Sequence, residues 1–189
     1  MSIVKDYVAA SVKVKQQIIN DTVLIKQIER LGRTVNLTLC RGNKIIFAGN
    51  GGSFADAQHI TAEFISKLKF DRHPLAAITL GTNSSIMTAC ANDYGYEHVF
   101  SRELSAISKS GDLFIPISTS GNSKNLLLAV QTALKNDLEV IALTGRNGGE
   151  LKNLCEAICV PSETTAHIQE AHIMIGHLIC GLGEASFIK

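Results

Sequence analysis

His59 and Glu63 stand four residues apart, a spacing that puts both side chains on one face of an α-helix. An imidazole nitrogen and a carboxylate oxygen so placed can hold a divalent cation. Gln169, Ile173 and His177 follow one another in steps of four near the other end of the chain, so Gln169 and His177 also share one side of a helix. Two histidines, a glutamate and a glutamine oxygen make a four-ligand set of the kind zinc takes, with nitrogen at about 2.0–2.1 Å. The same spacing also fits histidines that lie on a surface or pack against a neighbour. It does not choose between His177 and the nearby His167 and His172.

Two further segments carry a different chemistry. Gly49-Asn50-Gly51-Gly52-Ser53 and Ser118-Thr119-Ser120-Gly121-Asn122-Ser123 combine free backbone N–H groups, hydroxyl donors and the start of a helix, which together can bind a phosphate or another anion. The competing explanation is that Ser and Asn only cap helices there. Neither segment is a nucleotide signature: there is no G-x-x-x-x-G-K-[ST], and the first lacks the third glycine of G-x-G-x-x-G. A phosphorylated small molecule fits better. Asn92-Asp93-Tyr94-Gly95 reads as a turn between helices, where Asp93 either orients a hydroxyl of a polyol or satisfies backbone donors. Residues 66–73, with Lys67, Lys69, Arg72 and His73, form the one local basic cluster and read by default as a solvated helix end and loop.

These residues must be held by a scaffold, and the hydrophobic pattern predicts one. Two helical stretches, about 3–20 and 22–41, precede the apolar run Lys44–Gly49. Similar runs recur at Leu75–Leu80, Asp112–Ile117, Leu138–Leu143 and Ala157–Val160, each separated from the next by a segment long enough for a crossover. Runs with little alternation suit strands covered on both faces. The expectation is an α/β fold: a three-layer α/β/α sandwich on a five-stranded parallel sheet, flavodoxin-like and doubly wound, preceded by N-terminal helices. Ligands of such sheets bind outside the carboxyl ends of the strands, where both Gly/Ser-rich segments fall. A second helix in this scheme spans Lys124–Lys135, and the helix bearing His59 begins near Phe54.

Composition removes other classes. In 189 residues, 46% are hydrophobic and 18 basic side chains face 17 acidic ones, which excludes a disordered or tail-like chain and fits one domain over 1–189. With no basic run, a net charge of +1 and no Trp, nothing recommends nucleic acid as a partner. No stretch approaches the ~18 apolar residues of a membrane span, and the charged first residues do not make a signal peptide, so a cytoplasmic protein without a membrane partner is expected. Cys40, Cys90, Cys155, Cys159 and Cys180 form no C-x-x-C and read as reduced, buried thiols.

Taken together, N-G-G-S at 50–53, D-A-Q-H-x-x-x-E at 56–63, N-D-Y-G at 92–95, S-T-S-G-N-S at 118–123 and Gln169-x7-His177 resemble the sedoheptulose-7-phosphate (phosphoheptose) isomerases of the sugar isomerase, or SIS, superfamily. The serine loop marks SIS domains in general, and N-G-G-S, D-A-Q-H-x-x-x-E and Q-x7-H are far more specific to the isomerases. The resemblance spans nearly the whole chain. It implies that Ser53, Ser118, Thr119, Ser120 and Ser123 hold the sugar phosphate and that Asn50, Gly51, Gly52, Asn92, Asp93 and Gln169 line the substrate. It also implies one zinc ion per subunit on His59, Glu63, Gln169 and His177, with Glu63 and His177 as the catalytic acid/base pair. The implied assembly is a homotetramer with active sites at subunit interfaces and residues 1–41 packed at its centre. The implied reaction turns sedoheptulose 7-phosphate into D-glycero-D-manno-heptose 7-phosphate, for lipopolysaccharide or capsule.

The chain departs from the family where a G-R-Y or G-R-F is common, reading Ser66-Lys67-Leu68, and where an Arg often precedes I-Q-E, reading His167. Arg and Lys differ where a bidentate contact is needed, so these positions bear on which ketose phosphate is taken. The rival functions are a non-catalytic SIS interaction module of the type that binds a replication initiator, which lacks the glutamate matching Glu63, and a sugar-phosphate sensor that binds without turnover.

Overall fold

Ile45-Ile46-Phe47-Ala48-Gly49 alternates in direction without alternating in polarity, and all five residues are buried. Both faces of this strand therefore need an apolar cover, and the computed structural model, which describes residues 2–187, supplies one on each side. The strands are β1 (Ile45–Gly49), β2 (Ala77–Thr79), β3 (Leu113–Ser118), β4 (Glu139–Thr144) and β5 (Glu156–Cys159). They form one parallel sheet in the order β2-β1-β3-β4-β5, with Gly49 beside Ile117 and Ser118 beside Thr144 at the carboxyl ends. The sheet matches the expected α/β sandwich, with β2 shorter than its apolar run and the other boundaries shifted by a residue or so.

The helices are α1 (Ile3–Asn20), α2 (Thr22–Cys40), α3 (Gly52–Ile65), α4 (Ser84–Tyr94), α5 (Val99–Ile107), α6 (Lys124–Lys135), α7 (Leu151–Leu154) and α8 (Thr165–Glu184). Ile45, Phe47, Ile115, Ile117, Ile141 and Leu143 face a core built with α2, α3 and α8. Ile46, Ala48, Phe114, Val140 and Ala142 point the other way, into α5, α6 and α7. Successive residues of one strand thus feed two cores, which is why the runs read as continuous apolar sequence.

Asp21 separates the first two helices because its carboxylate accepts the N–H groups of Val23 and Leu24, each at 3.0 Å, and so caps α2. Helix α1 buries only Val14 and Ile18 and leaves Ile3, Val4, Val8, Val12 and Ile19 exposed. It is tied to α8 through Glu170, which accepts from Tyr7 Oη at 2.9 Å, from Ser11 and from Lys15 at 3.3 Å. The Ser11 hydroxyl first, then Tyr7 and Lys15, hold the Glu170 carboxyl below its ordinary range against a smaller opposing effect of burial.

Two expectations need correction. Asn92, Asp93 and Tyr94 are not a turn but the last turn of α4, which Asn83 caps through Ser85 and Ile86 N–H and which ends only where Gly95 takes φ 91°. Of the thiols, Cys90 and Cys180 are buried, Cys155 and Cys159 are partly so, and Cys40, at the exposed end of α2, is not. Burial pushes the Cys155 thiol up to about 11 and the Cys180 thiol up to about 12, so both stay protonated at neutral pH. Among the described residues no helix is long and apolar enough to cross a membrane.

Candidate active site

The chain leaves β1 through Asn50 and Gly51, whose φ of 54° no larger residue adopts easily, and enters α3 at Gly52. Gly52 has no room for a side chain: a Cβ there would collide with the amide of Gln169 on α8. Ser53 is buried, and its N–H donates to the Asn50 carbonyl at 3.1 Å. The Asn50 amide is fixed from two sides. It exchanges hydrogen bonds with the buried Asn125 at the start of α6, at 2.9 and 3.0 Å, and accepts from Tyr96 Oη at 2.9 Å.

Two turns into α3, His59 and Glu63 meet His177 of α8. His59 Nε2 lies 2.9 Å from His177 Nε2 and 3.4 Å from Glu63 Oε1, and one ligand atom from each of the three lies within 4.8 Å of the others. Two facing ring nitrogens at that distance share at most one proton, so at least one lone pair is aimed into the cluster. Ligand atoms held at about 2.0–2.1 Å around a tetrahedral ion would stand about 3.3 Å apart, close to the observed separations, so the donor set fits zinc. Gln169 stands two turns before His177 on α8, with its amide against Gly52. One turn before His59, Asp56 Oδ2 is buried with no hydrogen-bond partner among the described residues; burial pushes this carboxyl up and His59 opposes the shift.

The segment after β3 is built as a rigid cradle. Ser118 Oγ, buried, accepts the Gly121 N–H at 3.1 Å and lies 3.3 Å from Ser123 Oγ. Ser123 occupies the N-cap position of α6 yet its hydroxyl makes no capping bond, and no side chain caps α3 either, so capping does not account for the hydroxyls of these loops. Gly121 has φ 68° and lies so close to the Gly148 carbonyl that a Cβ could not fit. The Thr119 carbonyl accepts the Gly145 N–H at 3.1 Å, and Asn122 Oδ1 accepts the Glu150 N–H at 2.9 Å. Behind this cradle His172 Nε2 donates to the Thr144 carbonyl at 3.1 Å; burial pulls its pKa down to about 4, so the ring is neutral. Thr119 and Ser120 open onto a hollow shared with Arg146, Ser162 and Ile168.

The choice left open among the α8 histidines is thereby made on geometry: His177 joins His59 and Glu63, His172 is turned into the core, and His167 packs its ring against Tyr7 with centroids 4.7 Å apart. Asn92 and Asp93 are exposed and bond to each other at 2.8 Å; among the described residues no side-chain hydrogen bond joins them to either loop. The basic cluster divides. Lys67 is exposed, whereas Arg72 is buried against Glu184, so the solvated-loop expectation fails at Arg72. Sequence reasoning missed Asn125, Tyr96 and this pair. Asn125 alone left a signal, a polar residue among the inward-facing Leu126, Ala129, Val130 and Ala133 of α6.

Comparison with known proteins agrees with this architecture. Residues 6–145 match the SIS domain family. The chain is 46% identical over 187 residues to the phosphoheptose isomerase of Aneurinibacillus thermoaerophilus, covering 98% of this chain and 94% of the relative. It is 49% identical to phosphoheptose isomerase 2 of Campylobacter jejuni, covering 97% and 92%. The structure of phosphoheptose isomerase from Neisseria gonorrhoeae superposes with a TM-score of 0.89 at 38% identity, covering 96% of this chain and 97% of that one. With the same fold and nearly the same extent as these relatives, the chain belongs to the phosphoheptose isomerases of the SIS-domain family.

Proposed function

We propose that the protein interconverts sedoheptulose 7-phosphate and D-glycero-D-manno-heptose 7-phosphate in the cytoplasm, at the head of heptose synthesis for lipopolysaccharide or capsule. The observation that carries this is the meeting of Glu63, His59 and His177 where α3, the helix that leaves the β1 loop, packs on α8, with the serine loop opening from the adjacent strand β3. Ser53, Ser118, Thr119, Ser120 and Ser123 hold the phosphate, and Asn50, Gly51, Gly52, Asn92 and Asp93 line the polyol. Glu63 removes a proton from one of C1 and C2, and His177 serves as its acid/base partner, so that the ketose passes through an enediol to the aldose with no atom gained or lost. Zinc, held by His59, Glu63, Gln169 and His177, would polarise the carbonyl and hydroxyl oxygens.

The exposed apolar stripe of α1 favours a homotetramer with residues 1–41 at its centre and sites completed by neighbouring subunits. A binding-only module or sensor has no use for a carboxylate at position 63 facing two histidines. Proton NMR of sedoheptulose 7-phosphate with the zinc-loaded protein in D₂O tests the reaction: an aldose anomeric signal and deuterium at C2 are expected. Binding without either signal would leave a sensor or an interaction module.

A further inference from the structure

Arg72 and Glu184 lie outside the proposed machinery, yet both side chains are fully buried. Taking an ion pair out of water is unfavourable unless the geometry satisfies nearly every donor and acceptor. Here it does. Arg72 Nε donates to Glu184 Oε2 at 2.9 Å, Nη1 to the Phe64 carbonyl at 2.8 Å and the His73 carbonyl at 3.2 Å, and Nη2 to the Glu63 carbonyl at 3.0 Å. Glu184 Oε1 accepts the Lys69 N–H at 3.2 Å. Glu63 and Phe64 belong to the last turn of α3, whose carbonyls have no donor partners within the helix and where a cation is favoured, and Glu184 is the last residue of α8. One guanidinium therefore joins the ends of the two helices that carry the cluster.

The same seam is pinned at two other points. At its near end Gly52 touches the Gln169 amide, and in the middle Gly176 admits Ile60, whose Cδ1 would lie 2.6 Å from a Cβ at that position. Ile60 and Gly176 are the sequence neighbours of His59 and His177. Glu63 falls between the middle point and the Arg72 end, with its carbonyl on the guanidinium and its carboxylate in the cluster. We infer that the buried Arg72–Glu184 pair is a positioning device: it fixes the separation of α3 and α8 and so holds Glu63 and His59 against His177. Arg72 touches no substrate in this arrangement and acts through Glu63. The inference rests on the proposed role of Glu63 and the zinc set.

The test uses the full chain with Arg72→Met and Glu184→Met combined, because replacing both charges with apolar side chains of similar length leaves no unpaired buried ion. Melting temperature, kcat, KM and zinc affinity, the last by competition with a chromophoric chelator, are measured together. The expected result is a folded protein with kcat and zinc affinity each down by roughly 10- to 100-fold, the usual effect of losing an outer partner of a ligand, and KM nearly unchanged. Arg72→Lys keeps the charge pair but cannot span Glu184 and both α3 carbonyls, so it should fall between. Wild-type kcat and zinc affinity in either folded variant would overturn the positioning role alone. Wild-type protein that neither turns over the ketose phosphate nor retains zinc would overturn the proposed function, and this role with it.

Discussion

The loops after β1 and β3 both combine Gly, Ser and Asn, sit on adjacent strands and open a helix, but the first is mostly glycine with a single hydroxyl, the second mostly Ser and Thr, and the two helices carry different side chains. The β1 loop leads into α3, which turns His59 and Glu63 toward α8. The β3 loop leads into α6, whose inward face is Asn125, Leu126, Ala129, Val130 and Ala133, with no group that can exchange a proton. The supports differ as well: the β1 loop is steadied by side chains of other elements, Asn125 and Tyr96, whereas the β3 loop is braced by its own Ser118, Ser120 and Asn122 side chains and by backbone bonds to Gly145 and Leu151. On the proposed function, two loops that can each bind an anion thus serve two ends, with chemistry grouped on the β1 side and grip on the β3 side.

The sharpest way to break this division is Glu63→Gln. If chemistry resides on the β1 side, kcat should fall by roughly 10²- to 10⁴-fold, the ordinary contribution of a placed acid/base group, with the fold retained by circular dichroism; near-normal turnover would remove Glu63 as the base. Next, His59→Ala and Gln169→Ala should strip most of the zinc from protein purified without chelator, as read by mass spectrometry, and unchanged metal content in both would undo the ligand set.

The β3 side is probed through its support. His172 has its pKa lowered from 6.5 to about 4, so below pH 6.5 the unfolded chain takes up a proton that the native state refuses until about pH 4. Its contribution to stability is full above that window and falls through it by on the order of 3 kcal/mol. Urea unfolding of His172→Gln, which keeps a donor but does not titrate, should show a correspondingly flatter loss between pH 6.5 and 4. The smallest expected effect belongs to Ser120→Ala: KM rises by about tenfold to a hundredfold, the equivalent of one hydrogen bond of ~1.5–3 kcal/mol to a charged group, while kcat changes little. A drop in kcat with KM unchanged would place chemistry on the β3 side after all.

Much of this was legible from sequence. Helices 3–20 and 22–40 and the five strands appear as periodic or continuous apolar runs, because covering both faces of a sheet leaves no polar position to disguise them. The pairing of His59 with Glu63 follows from helical spacing alone. What spacing could not supply was the contact between α3 and α8, so His177 could not be told from His167 or His172 until the helices were packed. Asn92 and Asp93 read as a turn because both residues favour turns, but the helix capped by Asn83 had not yet met a residue that stops it. Arg72 misled for a related reason. A basic residue in a polar loop reads as solvated, and only the distant Glu184 makes its burial tolerable.

His59 and His177 are 118 positions apart, and they touch. A ribosome adding roughly 5–20 residues per second leaves the first without the second for about 6 to 24 s, while the sheet and its loops are already being made. During that interval a nascent chain carries only half of the proposed metal site. A message cut before α8 would also lose Ile168, Ala171, Ile175 and Ile179 from the core shared with α2 and α3, so its product would fail to fold as well as to close the cluster.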